Sequence, residues 1–419
     1  MLLIIFCMSL SKSLKTQRAS EGGIVLDIKD QTETYSRLIG NYGGDIPGPT
    51  IIAIGGMHGN EPSGVEALEY VFKKLNKLKP SFKGEIIGIR GNLKALQSGK
   101  RYLDTDLNRL WKMRPNMEDL VSPEETREKE EFTEIQAYIE KTIASRKGPL
   151  IFLDLHTTSA ESPPFILIGD TLRNRKFVSK LGLPVVLGVE EQLDGPCMSY
   201  INATGHIAIG FEAGEHRAAS SVKNHKCLVW NLLARAGCLS EDALPDIQSS
   251  RKWLKTQVDG IGDDFFEVRL RYGITPEDAF KMKKGYLNFQ AIDKGEKLAR
   301  DHKGDVVASD KGFIFMPLYQ SQGDDGFFIV RKIAPFWLKT SIVLRKAGLH
   351  KILPILPGVK KQQVPKGALE MNTSIAKFLG TQLMHLLGYR RINEQGDKKL
   401  FIKRRFDLRG PSEIDRFRL

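Results

Sequence analysis

Short apolar runs alternate with longer amphipathic stretches over the first two-thirds of the chain. Thr50-Ile-Ile-Ala-Ile54 is continuously apolar, the pattern of a strand buried on both faces. A glycine-rich loop follows it, and then a helical pattern over about 65–78. Ser63 and Glu66 stand three apart at the start of that pattern, which predicts a capping box. Phe132, Ile135, Ile139 and Ile143 recur at helical spacing after the acidic stretch Glu124–Glu131. Leu150-Ile-Phe-Leu-Asp-Leu155 and His206-Ile-Ala-Ile-Gly-Phe211 repeat the buried-strand pattern. Strands alternating with helices predict an α/β fold whose sheet is at least partly parallel and covered on both faces.

Past about Arg251 the texture changes. Runs at 265–271, 306–308, 312–316 and 326–330 are short and strand-like, and turn residues such as Asp310-Lys-Gly312 and Gly323-Asp-Asp-Gly326 punctuate them. This predicts a small all-β module of about 80 residues. After Pro335 basic and apolar residues mix, broken by Pro354, Pro357 and Pro365. The expected organisation is an N-terminal extension over 1–22, an α/β domain over 23–255, a small β domain over 256–335 and a C-terminal extension over 336–419.

With 41% hydrophobic and 27% charged residues, the 419-residue chain has the composition of a soluble globular protein, not of a disordered or fibrous one. No run approaches the roughly 20 apolar residues of a membrane-spanning helix, which excludes an integral helical membrane protein. The net charge of +13 is concentrated. Residues 331–410 hold 18 basic and 4 acidic side chains, and the remainder holds 45 and 46. Any polyanion partner therefore belongs to the C-terminal segment. Cys7, Cys197, Cys227 and Cys238 form no C-x-x-C pair and predict free thiols in a reducing compartment. Met1–Leu10 is apolar like a short signal segment, yet it has neither a positive start nor a small-residue cleavage pattern. A misassigned start or a buried strand suits it as well as export does, and the expected location is cytoplasmic.

Three predicted strands each end in a polar cluster: Gly55-Gly-Met-His58-Gly-Asn-Glu61, Asp154-Leu-His156, and Glu212-Ala-Gly-Glu215-His216. In open α/β sheets the ligand crevice lies outside the carboxyl ends of the strands. Taken singly, an H-x-x-E pair or a strand histidine is most often an ordinary hydrogen-bonded group. Taken together, His58, Glu61 and His156 match a catalytic zinc site, which takes three protein ligands and keeps one position for water. Zinc lowers the pKa of that water to about 7 and polarises a carbonyl. Glu212 is then a natural general base, able to pass the proton on to a leaving amine. Asp154 and His156 project to one side of their strand, which suits a carboxylate supporting the ligand. The stretch Lys100–Arg109 brings Arg101, Asn108 and Arg109 onto one loop, and arginine's fork suits a carboxylate or a developing oxyanion.

These residues resemble the succinylglutamate desuccinylase/aspartoacylase family of zinc hydrolases, relatives of the metallocarboxypeptidases. The resemblance rests on Gly55–Gly64, Arg101-Tyr-Leu-Asp-Thr-Asp-Leu-Asn-Arg109, Asp154-Leu-His156 and Gly210-Phe-Glu-Ala-Gly214, and spans about 45–335. It implies a carboxypeptidase-like mixed sheet with helices on both faces, followed by a smaller β domain. It implies one zinc per chain held by His58, Glu61 and His156, with Glu212 as acid/base and Arg101 polarising the scissile carbonyl. Asn108 and Arg109 would hold a substrate carboxylate. The chain departs from the pattern in two places. Aspartoacylases carry a further arginine about ten residues before the catalytic Glu, whereas Met198–Thr204 has none, which argues against an acyl-aspartate substrate. Of the family's β-module tyrosine only Tyr319 stands near, without a secure match.

The expected function is that of a zinc-dependent amidohydrolase deacylating an N-acyl amino acid or a similar small carboxylate-bearing amide. One alternative is a metallocarboxypeptidase acting on peptides or cell-wall fragments. Another is a polyanion- or membrane-binding protein with a vestigial hydrolase site. Within 336–419, Pro335–Lys346, Leu349–Leu356 and Lys398–Arg405 are basic and apolar together. They can pack their apolar faces on the enzyme body, or lie on an anionic membrane surface. No recognisable motif supports nucleic acid as the partner.

Overall fold

The computed structural model describes residues 35–113, 120–363, 365–376 and 380–411. The apolar segment Met1–Leu10, Cys7 and the extension over 1–22 lie outside these residues.

The chain enters through β1 (Leu38–Gly43) and β2 (Ile46–Gly55), then α1 (Ser63–Leu78), β3 (Lys83–Arg90), α2 (Leu93–Ser98) and α3 (Arg127–Ser145). It continues through β4 (Leu150–Thr158), β5 (Phe165–Ile168), α4 (Leu172–Val178), β6 (Val185–Leu187), α5 (Cys197–Ala203) and β7 (Ile207–Glu215). Then come α6 (Ala219–Arg235), α7 (Pro245–Gln257) and β8 (Phe265–Gly273). The expected apolar runs thus form strands, and both expected helices are present. The capping box is not. Ser63 lies inside α1, Pro62 is the cap, and no side chain caps the helix; the turn at Pro62 starts the helix one residue before the motif would.

The β-rich stretch supplies β9 (Lys281–Met282), β10 (Ala291–Ile292), β11 (Lys297–Asp301), β12 (Gly304–Val307), β13 (Gly312–Phe315) and β14 (Asp325–Lys332). Three of these strands, β14, β13 and β10, continue from β8 in the main sheet, whose order is β1-β3-β2-β4-β7-β5-β6-β8-β14-β13-β10. Strands β12, β11 and β9 form a separate small antiparallel sheet. In the large sheet β3, β2, β4 and β7 run parallel, while β5 is antiparallel to β7 and β14 to β8. The sheet is therefore mixed. Helices cover both faces. Leu68, Phe72 and Leu75 of α1 pack with Trp230 and Leu233 of α6 on one side, and Phe132, Ile135 and Ile139 of α3 with Ile201 of α5 on the other.

The C-terminal segment is folded, although its prolines gave its sequence no strand pattern. After α8 (Pro335–Lys346) and a 3-10 turn over Leu349–Ile355 come β15 (Val359–Lys361), β16 (Ala368–Asn372), α9 (Thr381–Leu386), β17 (Tyr389–Gln395) and β18 (Lys398–Lys403). The strands form one antiparallel sheet in the order β15-β16-β18-β17. Leu369, Met371, Met384 and Phe401 build a core of its own. Buried ion pairs tie this segment to the α/β sheet: Arg345 to Asp170 at 2.8 Å, and Arg404 to Glu190 at 3.1 Å and to Glu191. Among the described residues no helix is long and apolar enough to cross a membrane. Cys197, Cys227 and Cys238 are buried and form no disulfide.

Candidate active site

Three neighbouring parallel strands, β2, β4 and β7, deliver their carboxyl ends to one place. The loop leaving β2 turns where only glycine fits. Gly56 has φ +74°, and a Cβ on Gly59 would lie 2.1 Å from the Ala95 carbonyl. This turn brings His58 Nδ1 to 2.9 Å from Glu61 Oε1. His156, near the end of β4, places its Nδ1 3.0 Å from Glu61 Oε2, and the Thr157 N–H donates to the same oxygen at 3.0 Å. One ligand atom from each of His58, Glu61 and His156 lies within 4.8 Å of the others, and all three residues are buried.

The far side of each imidazole faces a carboxylate. His58 Nε2 is 3.0 Å from Asp106 Oδ1, and His156 Nε2 is 3.0 Å from Asp154 Oδ2. Partners of this kind fix ring orientation in metal sites and leave the other nitrogen for the ion. Glu212 Oε2 and Asp154 Oδ1 are buried without a hydrogen-bond partner. Two imidazole nitrogens, a carboxylate and unsatisfied buried oxygens beside them form a donor set that fits a divalent cation.

The two glutamates are driven apart electrostatically. Burial alone would raise Glu61, but His58 and His156 outweigh it through their charge and hydrogen bonds and hold the carboxyl well below its usual range. Burial pushes Glu212 up to about 8; the Glu61 and Asp154 charges add to the rise while His156 and Arg101 oppose it. One buried carboxylate is thus kept ionised and its neighbour kept able to hold a proton. Asp106 is held well below the carboxylate range, because His58, Arg101 and Arg109 overcome its burial.

Arg101 reaches this cluster, with Nη1 3.4 Å from Glu61 Oε1 and Nη2 3.1 Å from Asp106 Oδ2. Asn108 has one end engaged: its Oδ1 accepts from the Cys197 N–H at 2.9 Å, at the start of α5, while its Nδ2 lies 3.5 Å from His156 Nε2. Arg109 Nη2 is 3.3 Å from Asp325 Oδ2, and Asp325 also binds Arg271. A cavity of about 120 Å³ joins these residues and continues along Leu167, Val189, Leu193, Met198 and Phe328. Met198 thus forms an apolar wall in the stretch that lacks the further arginine. Tyr319 is turned to other work, donating to the Lys283 carbonyl at 2.9 Å.

Several residues at the site escaped the sequence reading. Asp106 sits inside the Lys100–Arg109 cluster, where it looked like a local salt-bridge partner; its two-residue offset from Asn108 was the available signal. Asp325 and Gln320 carried none. Gln320 Oε1 accepts from Asn60 at 2.9 Å and lies 3.0 Å from His216 Nε2 on the cavity wall.

Residues 47–230 match the model of the succinylglutamate desuccinylase/aspartoacylase catalytic domain. Over these residues the chain is similar to that catalytic domain. A succinylglutamate desuccinylase of Shewanella putrefaciens is 32% identical over 118 residues, covering 27% of this chain and 33% of that protein. A probable aspartoacylase of Nostoc is 32% identical over 129 residues, 29% of this chain and 39% of that protein. The matched stretch therefore spans between a third and two-fifths of these curated relatives. Two crystal structures share the fold. A succinylglutamate desuccinylase/aspartoacylase of Rhodobacter sphaeroides has a TM-score of 0.50 at 18% identity, over 69% of this chain and 87% of its own. A succinylglutamate desuccinylase of Vibrio parahaemolyticus has 0.51 at 15%, over 70% and 84%.

Proposed function

We propose that the chain is a metal-dependent amidohydrolase that deacylates an N-acyl amino acid or a similar small amide bearing a carboxylate. The observation that carries this reading is the convergence of buried His58, Glu61 and His156, with ligand atoms within 4.8 Å of one another, beside a Glu212 whose carboxyl is pushed up to about 8. His58, Glu61 and His156 would hold one divalent ion, zinc by the character of the donors. Bound there, the ion would supply a Lewis acid for the amide carbonyl and a water made acidic enough to attack near neutral pH.

The chain's own groups supply the rest. With the cation bound, Glu212 would be ionised, accept the proton of the attacking water at its Oε2 and return it to the departing amine nitrogen. Arg101, already turned toward Glu61, offers its guanidinium to the charge that grows on the carbonyl oxygen. Arg109 exchanges its Asp325 contact for the substrate carboxylate, with the Asn108 amide beside it. The walls formed by Leu167, Met198 and Phe328 keep water away from the reacting bond.

A cavity of about 120 Å³ suits a small acyl amide better than a peptide or cell-wall fragment. Product analysis tests this. The purified enzyme is given a panel of N-acyl amino acids beside short peptides. Release of free amino acid and carboxylic acid from the first set is expected, and turnover confined to the peptides would overturn the reading. We place the enzyme in the cytoplasm, in keeping with its three buried free thiols. Contact of residues 336–419 with an anionic membrane surface is a separate part of the proposal.

A further inference from the structure

Helix α8 is built with its polarity reversed. Its two buried residues are polar, Ser341 and Arg345. The Ser341 hydroxyl donates to the Leu386 carbonyl at 3.0 Å. Arg345 donates to the Asp170 carboxylate at 2.8 Å, the Asp170 carbonyl at 2.9 Å and the Asp407 carboxylate at 3.1 Å. These bonds fix which face of the helix meets the protein. The opposite face, spaced at i, i+3 and i+7, carries Phe336, Lys339, Val343 and Lys346.

Large apolar side chains stand on that face between the lysines. Phe336 is 66% and Val343 64% exposed, with Trp337 half exposed at the margin. The 3-10 turn that follows repeats the arrangement. Leu353 is its one buried residue, while Ile352 is exposed and Ile355 is 81% exposed. Single surface hydrophobics need no explanation, but several large ones exposed on two successive elements suit a contact site. The charges that this stretch of chain itself carries have one sign. No aspartate or glutamate occurs between Asp325 and Glu370, and Lys339, Lys346, Lys351, Lys360 and Lys361 are all exposed.

We propose that the outer face of α8 and the turn over Leu349–Ile355 seats the protein on an anionic lipid surface. This deepens the membrane-contact part of the functional reading by naming the face. Phe336, Val343, Ile352 and Ile355 enter the boundary between headgroups and acyl chains, Trp337 lies at headgroup level, and the lysines meet the lipid phosphates. Two other occupants suit the face less well. A second copy would set the lysines of this face against one another. A nucleic-acid backbone would satisfy the lysines but leave the apolar centre unused.

The test is flotation of the full-length chain with phosphatidylcholine vesicles, with and without phosphatidylglycerol. Binding to the anionic vesicles at least tenfold stronger than to the neutral ones, and lost at 0.5 M salt, is expected. The triple variant Phe336→Ser, Val343→Ser, Ile355→Ser changes only exposed positions, so it keeps the fold; it should lose vesicle binding about tenfold or more while turnover of soluble substrate stays unchanged. A second variant, Lys339→Glu with Lys346→Glu, should lose the preference for anionic vesicles. Unchanged binding of the triple variant, or equal binding to neutral vesicles, overturns the proposal. So does a dimer in solution that the triple variant dissolves, or retention on duplex DNA without vesicle binding. If binding persists in the triple variant but disappears when the exposed Lys398 and Arg405 are neutralised, membrane contact stands and this face is wrong.

Discussion

His156 on β4 and Glu212 on β7 are register partners across a parallel pair. Their backbones therefore stand one strand spacing apart, about 4.8 Å. The group proposed to hold the ion and the group proposed to move the proton are fixed by the same ladder, without a flexible loop between them. Replacing the acid without changing its shape should isolate the proton step. Glu212→Gln is expected to keep metal content and fold while lowering kcat by a factor of about 10² to 10⁴. Steady-state kinetics beside metal analysis of the variant check this; near-normal turnover would remove Glu212 from its role.

The same carboxyl makes a prediction about stability in chelator. Its folded pKa of about 8 lies above the unfolded value near 4.5, so folding takes up a proton between those limits. Stability from this group is full below about pH 4.5 and declines as pH rises toward 8. Melting temperatures of wild type and Glu212→Gln, followed from pH 5 to 9 without metal, should diverge toward the alkaline end, with the variant the more stable.

Arg109 is shared between Asp325, 3.3 Å away, and the substrate carboxylate assigned to it. Arg109→Ala should raise KM for N-acyl amino acids by about 10- to 100-fold, and by much less for acyl amides without a carboxylate. Equal losses on both classes would mean that Arg109 serves the fold and not recognition.

Arg404 crosses from the C-terminal segment to Glu190 at 3.1 Å and to Glu191, and Glu190 lines the cavity of the candidate site. Its removal would strand buried carboxylates. Arg404→Met should cost about 3–5 kcal/mol of stability, read by chemical denaturation. A loss below 1 kcal/mol would show that the segment docks by other means.

Acid should loosen the same region. Burial works to raise Glu191, but His385 and Arg404 bring its carboxyl down to about 2, so its stabilisation is full above about pH 4.5 and lost as pH falls toward 2. Burial holds the imidazoles of His206 and His225 neutral, down to about 3, and their contribution falls away as pH drops below about 6.5. Thermal melts from pH 7 to 3 should decline across both windows, and His225→Phe should remove part of the upper one.

What the sequence disclosed, and what it did not, follows from distance along the chain. The loop carrying His58 and Glu61, Asp154-Leu-His156 and Glu212 were legible as one cluster because each closes a buried strand, and strand ends in a parallel sheet share one side. Arg101, Asn108 and Arg109 were legible as a cluster, but not that Asn108 spends its carbonyl on the start of α5. The mixed sheet was legible as a class. That β8 and β14 continue it is a matter of long-range pairing, for which alternation gives no address. The C-terminal sheet was hidden because mixed basic and apolar segments suit packing on the enzyme body and a membrane surface equally, and neither reading specifies strand pairing. Arg345 and Arg404, two members of that basic run, are instead buried against acids 175 and 214 positions away.

The most direct measurement is hydrolysis of an N-acyl amino acid panel by purified protein of known metal content, before chelation, after it, and after zinc is returned. One ion per chain, turnover that disappears with the ion and returns with it, and a His156→Ala variant that binds none are the expected result. Turnover that survives complete metal removal, or stoichiometric metal retained in His156→Ala, would contradict the central claim.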